Sequence, residues 1–235
     1  MIFPIGDDQV VGGVRPYVSY AFIGINVLLF LLQFFMHMSQ GDQWLGQFFM
    51  EYGAVPAKVM AGDGTLSLLT SMFLHGGWMH LIGNMLFLWV FADNIEATIG
   101  SVAFLMYYLL GGLAGSMAHI LTDTASMTPG IGASGAIAAV LGTYLILYPK
   151  SRIKMIIIFM GSSFYIPALF FLVFWIGQQL LSGVGSLTGG EAGGVAWWAH
   201  IGGFAFGVVA GLIIKMVFPP KELTAVTQTR TLARR

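Results

Sequence analysis

The chain contains no cysteine and has little charge. The first absence excludes disulfides, thiolate metal ligands and a cysteine nucleophile. The second is more restrictive. Charged residues are 9% of 235, against about 25% in an ordinary soluble domain. Lys+Arg and Asp+Glu number 10 each, so there is no basic excess to hold nucleic acid. A water-soluble globule needs a charged skin that these residues cannot supply. A disordered chain is excluded as well, because 57% of the residues are hydrophobic. The composition therefore predicts an all-α membrane protein that lies in a lipid bilayer.

A spanning helix needs roughly 20 apolar residues to cross about 30 Å of hydrocarbon. Six segments are expected to span: Tyr17–His37, about Gly77–Ala92, Val102–Leu121, Ser134–Pro149, Tyr165–Leu181 and Trp197–Phe218. The apolar stretch Ile153–Leu181 would be about 43 Å long as one helix, too long for one upright span. Gly161, Ser162 and Ser163 interrupt it and Pro167 suits a first helical turn, so Ile153–Met160 is read as interfacial. The chain then divides into an N-terminal segment (1–16), a six-span domain (17–218) and a polar, disordered tail (219–235). The long connection Met38–Gly76, with Trp44, Phe48, Phe49 and Tyr52, suits the membrane interface. The glycine-rich loop Ser182–Ala196 reads as a plain linker or a lid.

Charge sets the orientation. With six spans, the side holding both termini carries Arg15, Lys150, Arg152, Lys154, Lys215, Lys221, Arg230, Arg234 and Arg235, and the other side carries Lys58. Basic residues collect on the cytoplasmic side, so both termini are expected there. The expected setting is a prokaryotic cell (inner) membrane.

Polar groups inside spans are costly and are functional candidates by default. Here they are His80, Asn84, Ser134 and His200, with His75 and His119 nearer the ends. Asn26, Gln33, Gln178 and Gln179 read as interhelical hydrogen-bonders or end residues. Ser134 precedes Lys150 by much the same spacing as His200 precedes Lys215 and His80 precedes Glu96. At 1.5 Å per residue, all three groups lie roughly 22–24 Å above those charges, at one level. Asn84 follows His80 by one turn, on the same face. The fourth segment is short, and Thr128-Pro129-Gly130-Ile131-Gly132 before it is not helical material. Ser134 is thus expected at a helix N-terminus on the floor of a submerged, water-accessible cavity, where free N–H groups favour a developing anion. Small residues at Gly135, Ala138, Ala139 and Gly142, and at Ala199, Gly203, Gly207 and Gly211, would let the fourth and sixth helices approach closely. Close approach is what a Ser134 hydroxyl needs to meet a His200 nitrogen. Metal binding at His75 and His80 is disfavoured: H-E-x-x-H is absent and their i, i+5 spacing splits them between faces. No metal or cofactor is expected.

Three stretches stand out: His75-Gly-Gly-Trp-Met-His80-Leu-Ile-Gly-Asn84, Gly132-Ala133-Ser134-Gly135, and Ala199-His200-Ile201-Gly202-Gly203 followed by Gly207. Taken together they resemble the rhomboid family of intramembrane serine proteases. Glu96 and Gly100 match a further family pattern. The resemblance implies a minimal six-helix rhomboid-like fold and a Ser/His dyad of Ser134 as nucleophile and His200 as general base. It also implies an oxyanion hole from the Ser134 N–H with the side chains of His80 and Asn84. The implied partners are transmembrane protein substrates, cleaved in or near their helices, with the fifth span and last loop as the entry gate. Where some members carry a tyrosine that packs on the histidine, this chain has Ala138, so another group must orient His200; Trp197 and Trp198 are candidates. Neither substrate identity nor oligomeric state is legible. Two rivals remain, a non-catalytic rhomboid-like scaffold that binds transmembrane helices and a six-span transporter.

Overall fold

The structure, a computed structural model, describes residues 2–8, 15–187 and 195–218. It is a helical membrane fold with one small sheet. Helix α1 (Tyr17–Gln40) is followed by three short helices, α2 (Asp42–Tyr52), α3 (Pro56–Met60) and α4 (Ser67–Thr70). Then come α5 (Trp78–Ile99), α6 (Ser101–Ile120), α7 (Ser134–Leu147), α8 (Ala168–Leu187) and α9 (Trp197–Val217). By length and composition α1, α6, α8 and α9 can each cross a bilayer. Helix α7 is apolar but has only 14 residues. Helix α5 has 22 residues and carries Asn84, Asp93, Asn94 and Glu96. The tail from residue 219 and residues 188–194 of the glycine-rich loop lie outside the described residues, while Ser182–Leu187 belongs to α8.

The shortest of the six is the centre. Residues 135–144 of α7 are all buried, and α9 and α6 pack directly on them. Glycine makes this possible. A methyl at Gly203 would overlap the Gly135 carbonyl oxygen, one at Gly207 the Ala139 carbonyl oxygen, and one at Gly142 the Phe204 carbonyl oxygen. The small-residue stripes thus set α7 and α9 backbone to backbone, as their spacing suggested. Helix α1 buries one stripe, Ser19, Phe22, Asn26, Phe30 and Gln33, and leaves the rest outward.

Helix α5 runs seven residues beyond the expected end at Ala92, because its late polar groups are occupied. The Glu96 carboxylate is fully buried and accepts from the N–H groups of Val18 and Ser19 at 2.9 and 2.8 Å. It also accepts the hydroxyls of Ser19 (2.7 Å) and Ser101 (2.5 Å). One carboxylate thereby caps the N-terminus of α1, where the helix dipole favours negative charge, and ties it to α5 and α6. Gly100 takes φ +82° at the α5–α6 corner, a left-handed conformation that suits glycine.

The segment expected to be interfacial, Ile153–Met160, is strand up to Ile157 and a short 3-10 turn over Ile158–Met160. Strands β1 (Ile2–Asp7), β2 (Arg152–Ile157) and β3 (Ser162–Pro167) form an antiparallel sheet in the order β1-β2-β3. Within β2, Ile153 and Met155 are buried while Arg152 is exposed, a period of two that the apolar run obscured. Gly161, at φ +58°, closes the β2–β3 turn. Pro4 is tolerated because β1 is an edge strand. Residues 165–167, assigned to the fifth span, therefore belong to β3, and the helix runs from Ala168 to Leu187. Part of the N-terminal segment packs on the helices. Asp7 of β1 accepts from Asn94 Nδ2 (2.9 Å) and from the Tyr144 hydroxyl, which joins β1 to α5 and α7.

Candidate active site

Ser134 is the first residue of α7, and the chain that delivers it is held by backbone bonds. Ala54 and Gly130 exchange N–H···O bonds of 2.9 Å, and Gly132 N–H donates to the Ser71 carbonyl at 2.8 Å. The irregular segment before α7 is thus satisfied by the long α1–α5 connection, as non-helical backbone at membrane depth must be. Gly132 has φ +123°, outside the range of ordinary side chains. The free N–H groups of the first turn of α7 surround Ser134.

The Ser134 hydroxyl meets the His200 ring. His200 Nε2 lies 2.8 Å from Ser134 Oγ. The ring is held from three sides. Its Nδ1 lies 2.7 Å from Gln179 Oε1 of α8. The Trp175 ring is 5.7 Å away, tilted by 34°. Trp197 presents an edge at 6.2 Å. Trp198, the other expected orienting residue, sends its indole N–H to the Gly183 carbonyl (3.2 Å) instead. Trp175 is a contact that the sequence does not reveal. Gln179 is an interhelical hydrogen-bonder, one of the two roles the sequence suggests, but nothing local names His200 as its partner.

His80 approaches from α5. Its Nδ1 accepts from the Gly76 N–H at 3.3 Å, so the neutral ring carries its proton on Nε2. A methyl at Gly132 would lie 2.7 Å from His80 Nε2 and 3.7 Å from Ser134 Oγ. The bare face of Gly132 therefore leaves a gap between the His80 donor and the serine. Asn84, one turn on, is buried, and its Nδ2 has no hydrogen-bond partner among the described residues. Buried amide donors are rarely left so. It bonds neither Ser134 nor His200.

His75 is fully buried beside His80, ring centroids 5.0 Å apart. It lies in the connection ahead of α5, and burial, with His80 as a neighbour, lowers its imidazole to about 3, so the ring is neutral. The Gln33 amide donates to its carbonyl at 2.7 Å. His119 joins Ser116, Ser71, Gly112, Gly132 and Ser134 in lining a cavity that borders the serine.

Comparison with known proteins places the chain in a described family. A Rhomboid domain model covers residues 63–216. The chain is 31% identical over 212 residues to Rhomboid protease GluP of Bacillus subtilis (strain 168), which spans 90% of this chain and 38% of that protein. It is 28% identical over 205 residues to the mitochondrial Rhomboid protein 1 of Saccharomyces cerevisiae, 83% of this chain and 52% of that one. Mitochondrial RHOMBOID-like protein 12 of Arabidopsis thaliana is 28% identical over 160 residues, 61% of this chain and 45% of that protein. The chain thus spans roughly two-fifths to half the length of these relatives.

Proposed function

We infer, from the premise that this chain belongs to the rhomboid family, that it is an intramembrane serine endopeptidase working through Ser134 and His200. The observation that carries the reading is the 2.8 Å contact between His200 Nε2 and Ser134 Oγ. A hydroxyl and an imidazole so placed form a nucleophile and its base. The substrates are transmembrane segments of other proteins, entering the cavity from the bilayer. The end that carries the β-sheet faces the cytoplasm, in line with the excess of Lys and Arg, and the setting we favour is a prokaryotic cell membrane.

In the first step Ser134 Oγ attacks the scissile carbonyl carbon while His200 Nε2 takes the hydroxyl proton. The oxyanion forms in the gap beside Gly132, where His80 Nε2–H, the Ser134 N–H and the unpaired Asn84 amide can donate to it. Such donors, fixed in advance in a water-poor site, favour the transition state over the bound substrate. Collapse of the tetrahedral species breaks the C–N bond, and His200 passes the proton to the leaving amine. A water molecule, deprotonated by His200, then hydrolyses the acyl-enzyme and restores Ser134. Among the described residues no carboxylate hydrogen-bonds His200, and a dyad of this kind is a modest nucleophile compared with a full triad.

The test uses detergent-solubilised protein and a generic transmembrane substrate. Wild type should cleave it, and Ser134→Ala should not. A serine-directed fluorophosphonate should modify wild type only. A non-catalytic scaffold would bind the substrate, leave it intact and leave Ser134 unlabelled.

A further inference from the structure

The catalytic reading leaves a question about the base. A neutral histidine has two tautomers, and only the one with the proton on Nδ1 leaves Nε2 free to take the Ser134 proton. A buried aspartate commonly makes that choice. Among the described residues no carboxylate hydrogen-bonds His200; Gln179 Oε1 does, at 2.7 Å from Nδ1.

A glutamine presents either end of its amide, so the choice of end has to be fixed as well. It is fixed locally. Gln179 Nε2 donates to the Trp175 carbonyl, one turn earlier in α8, at 3.2 Å. That leaves Oε1 facing the ring, and an amide oxygen only accepts. Nδ1 must then be the donor and Nε2 the acceptor for Ser134 O–H. The side chain is well shielded, with 6% of its surface exposed. It stands on the one buried stripe of α8, with Leu172 and Gly183, while Phe170, Val173, Phe174, Leu180 and Leu181 face outward. Packing alone would be met by an apolar residue on such a stripe. A polar one there is costly unless bonded, and its oxygen is spent on the base.

We propose that Gln179 is the positioning residue of this site: its amide oxygen sets the tautomer and orientation of His200, in the place a triad would give to a carboxylate. The substitution is physically sensible. A neutral acceptor supplies direction without a formal charge at membrane depth, where ionised groups are expensive. Trp175, on the same helix, packs on the ring that Gln179 orients, so both restraints on His200 from α8 come from one turn. The proposal rests on the Ser134–His200 reading, and it assigns a role in catalysis to a helix that contributes no reacting atom.

The test has two parts. In wild-type protein, ¹⁵N spectra of the histidine rings, with His200 identified by its loss in His200→Ala, should show a protonated Nδ1 and a bare Nε2. The opposite tautomer would overturn the proposal without any variant having to fold. Second, Gln179→Leu should lower kcat on a transmembrane substrate by about 10–10²-fold or more, the lower bound being the cost of removing the group that orients a metal-bound imidazole. Its KM should change little, and fluorophosphonate labelling of Ser134 should slow in parallel. Gln179→Glu restores an acceptor and should recover most of both rates. If Gln179 only ties α8 to α9, Gln179→Leu will label Ser134 as fast as wild type, which refutes the assignment. Failure of the protease reading looks different: wild type itself would neither cleave nor label.

Discussion

Replacing Gly203 by alanine should disable the site through a single methyl. Gly203 is one turn beyond His200, and a Cβ there would sit on the carbonyl oxygen of Gly135, next to Ser134. Neither neighbour can move aside, since both are helix backbone. Restoring an ordinary carbon–oxygen contact, at about 3.2 Å or more, requires α7 and α9 to separate by roughly 1 Å. The same displacement stretches the 2.8 Å Ser134–His200 contact beyond hydrogen-bonding range. Overpacking of this kind costs about 1–3 kcal/mol of stability. A 1 Å misplacement of reacting groups costs on the order of 10²-fold in rate. The assay is cleavage of a transmembrane substrate, read beside thermal unfolding in the same detergent. Gly24→Ala is the control: in α1 its methyl would meet nothing within 4 Å, so a helix-favouring gain of about 1 kcal/mol and full activity are expected. A Gly203→Ala protein with wild-type turnover and an unchanged melting temperature would refute the close α7–α9 contact.

His200→Ala should abolish cleavage, and the Ser134→Ala, His200→Ala double variant should be no worse than either single one, because nucleophile and base act as a unit. Asn84→Ala should lower turnover by about 10²–10³-fold with substrate affinity unchanged, as for loss of one oxyanion donor; a defect confined to KM would exclude that role. Burial pushes the Asp7 carboxyl up to about 7, against the hydrogen bonds from Tyr144 and Asn94 and aided by Asp93 and Asp8. The folded chain then holds this proton more tightly than the unfolded one, so stability falls as pH rises from about 4 through 7, by on the order of 2–4 kcal/mol. Asp7→Asn should flatten the pH dependence of the melting temperature over that window, and an unaltered slope would exclude Asp7 as its source. Single cysteines at Lys150 and Gly189 should react with an impermeant maleimide from opposite sides of a membrane; labelling of both from one side would contradict the proposed topology.

Much of the fold was legible because a bilayer demands long apolar runs bounded by charge, proline or glycine. The starts of α1, α7 and α9 fall at Tyr17, Ser134 and Trp197, as the pattern required. Features that depend on distant partners were not legible. The end of α5 lies beyond the expected Ala92 because Glu96, which reads as a boundary charge, is instead satisfied from α1, some 80 residues earlier in the chain. The sheet was missed for the same reason: β1 and β2 are separated by most of the protein, and an apolar run cannot announce a strand partner. At the site, Ser134, His200 and His80 stand out as polar groups at one depth, with Asn84 one turn from His80. Gln179 is also a polar residue within a span, but only the packing of α8 on α9 shows which ring it faces.

The pairing of β1 with β2 gives the protein an order of assembly. Ile2–Asp7 precedes α1 in the chain, yet its partner Arg152–Ile157 is synthesised only after α1, α5, α6 and α7. Throughout the insertion of those helices the N-terminal strand has no edge to join, and Asp7 has no finished pocket. Only once β2 is made can Ile2–Asp7 return to pair with it and fasten α5 to α7 through Asp7. A nascent chain halted after α7 would hold the serine helix without this clasp and without His200, so the clasp and the base are acquired in the same late stage of synthesis.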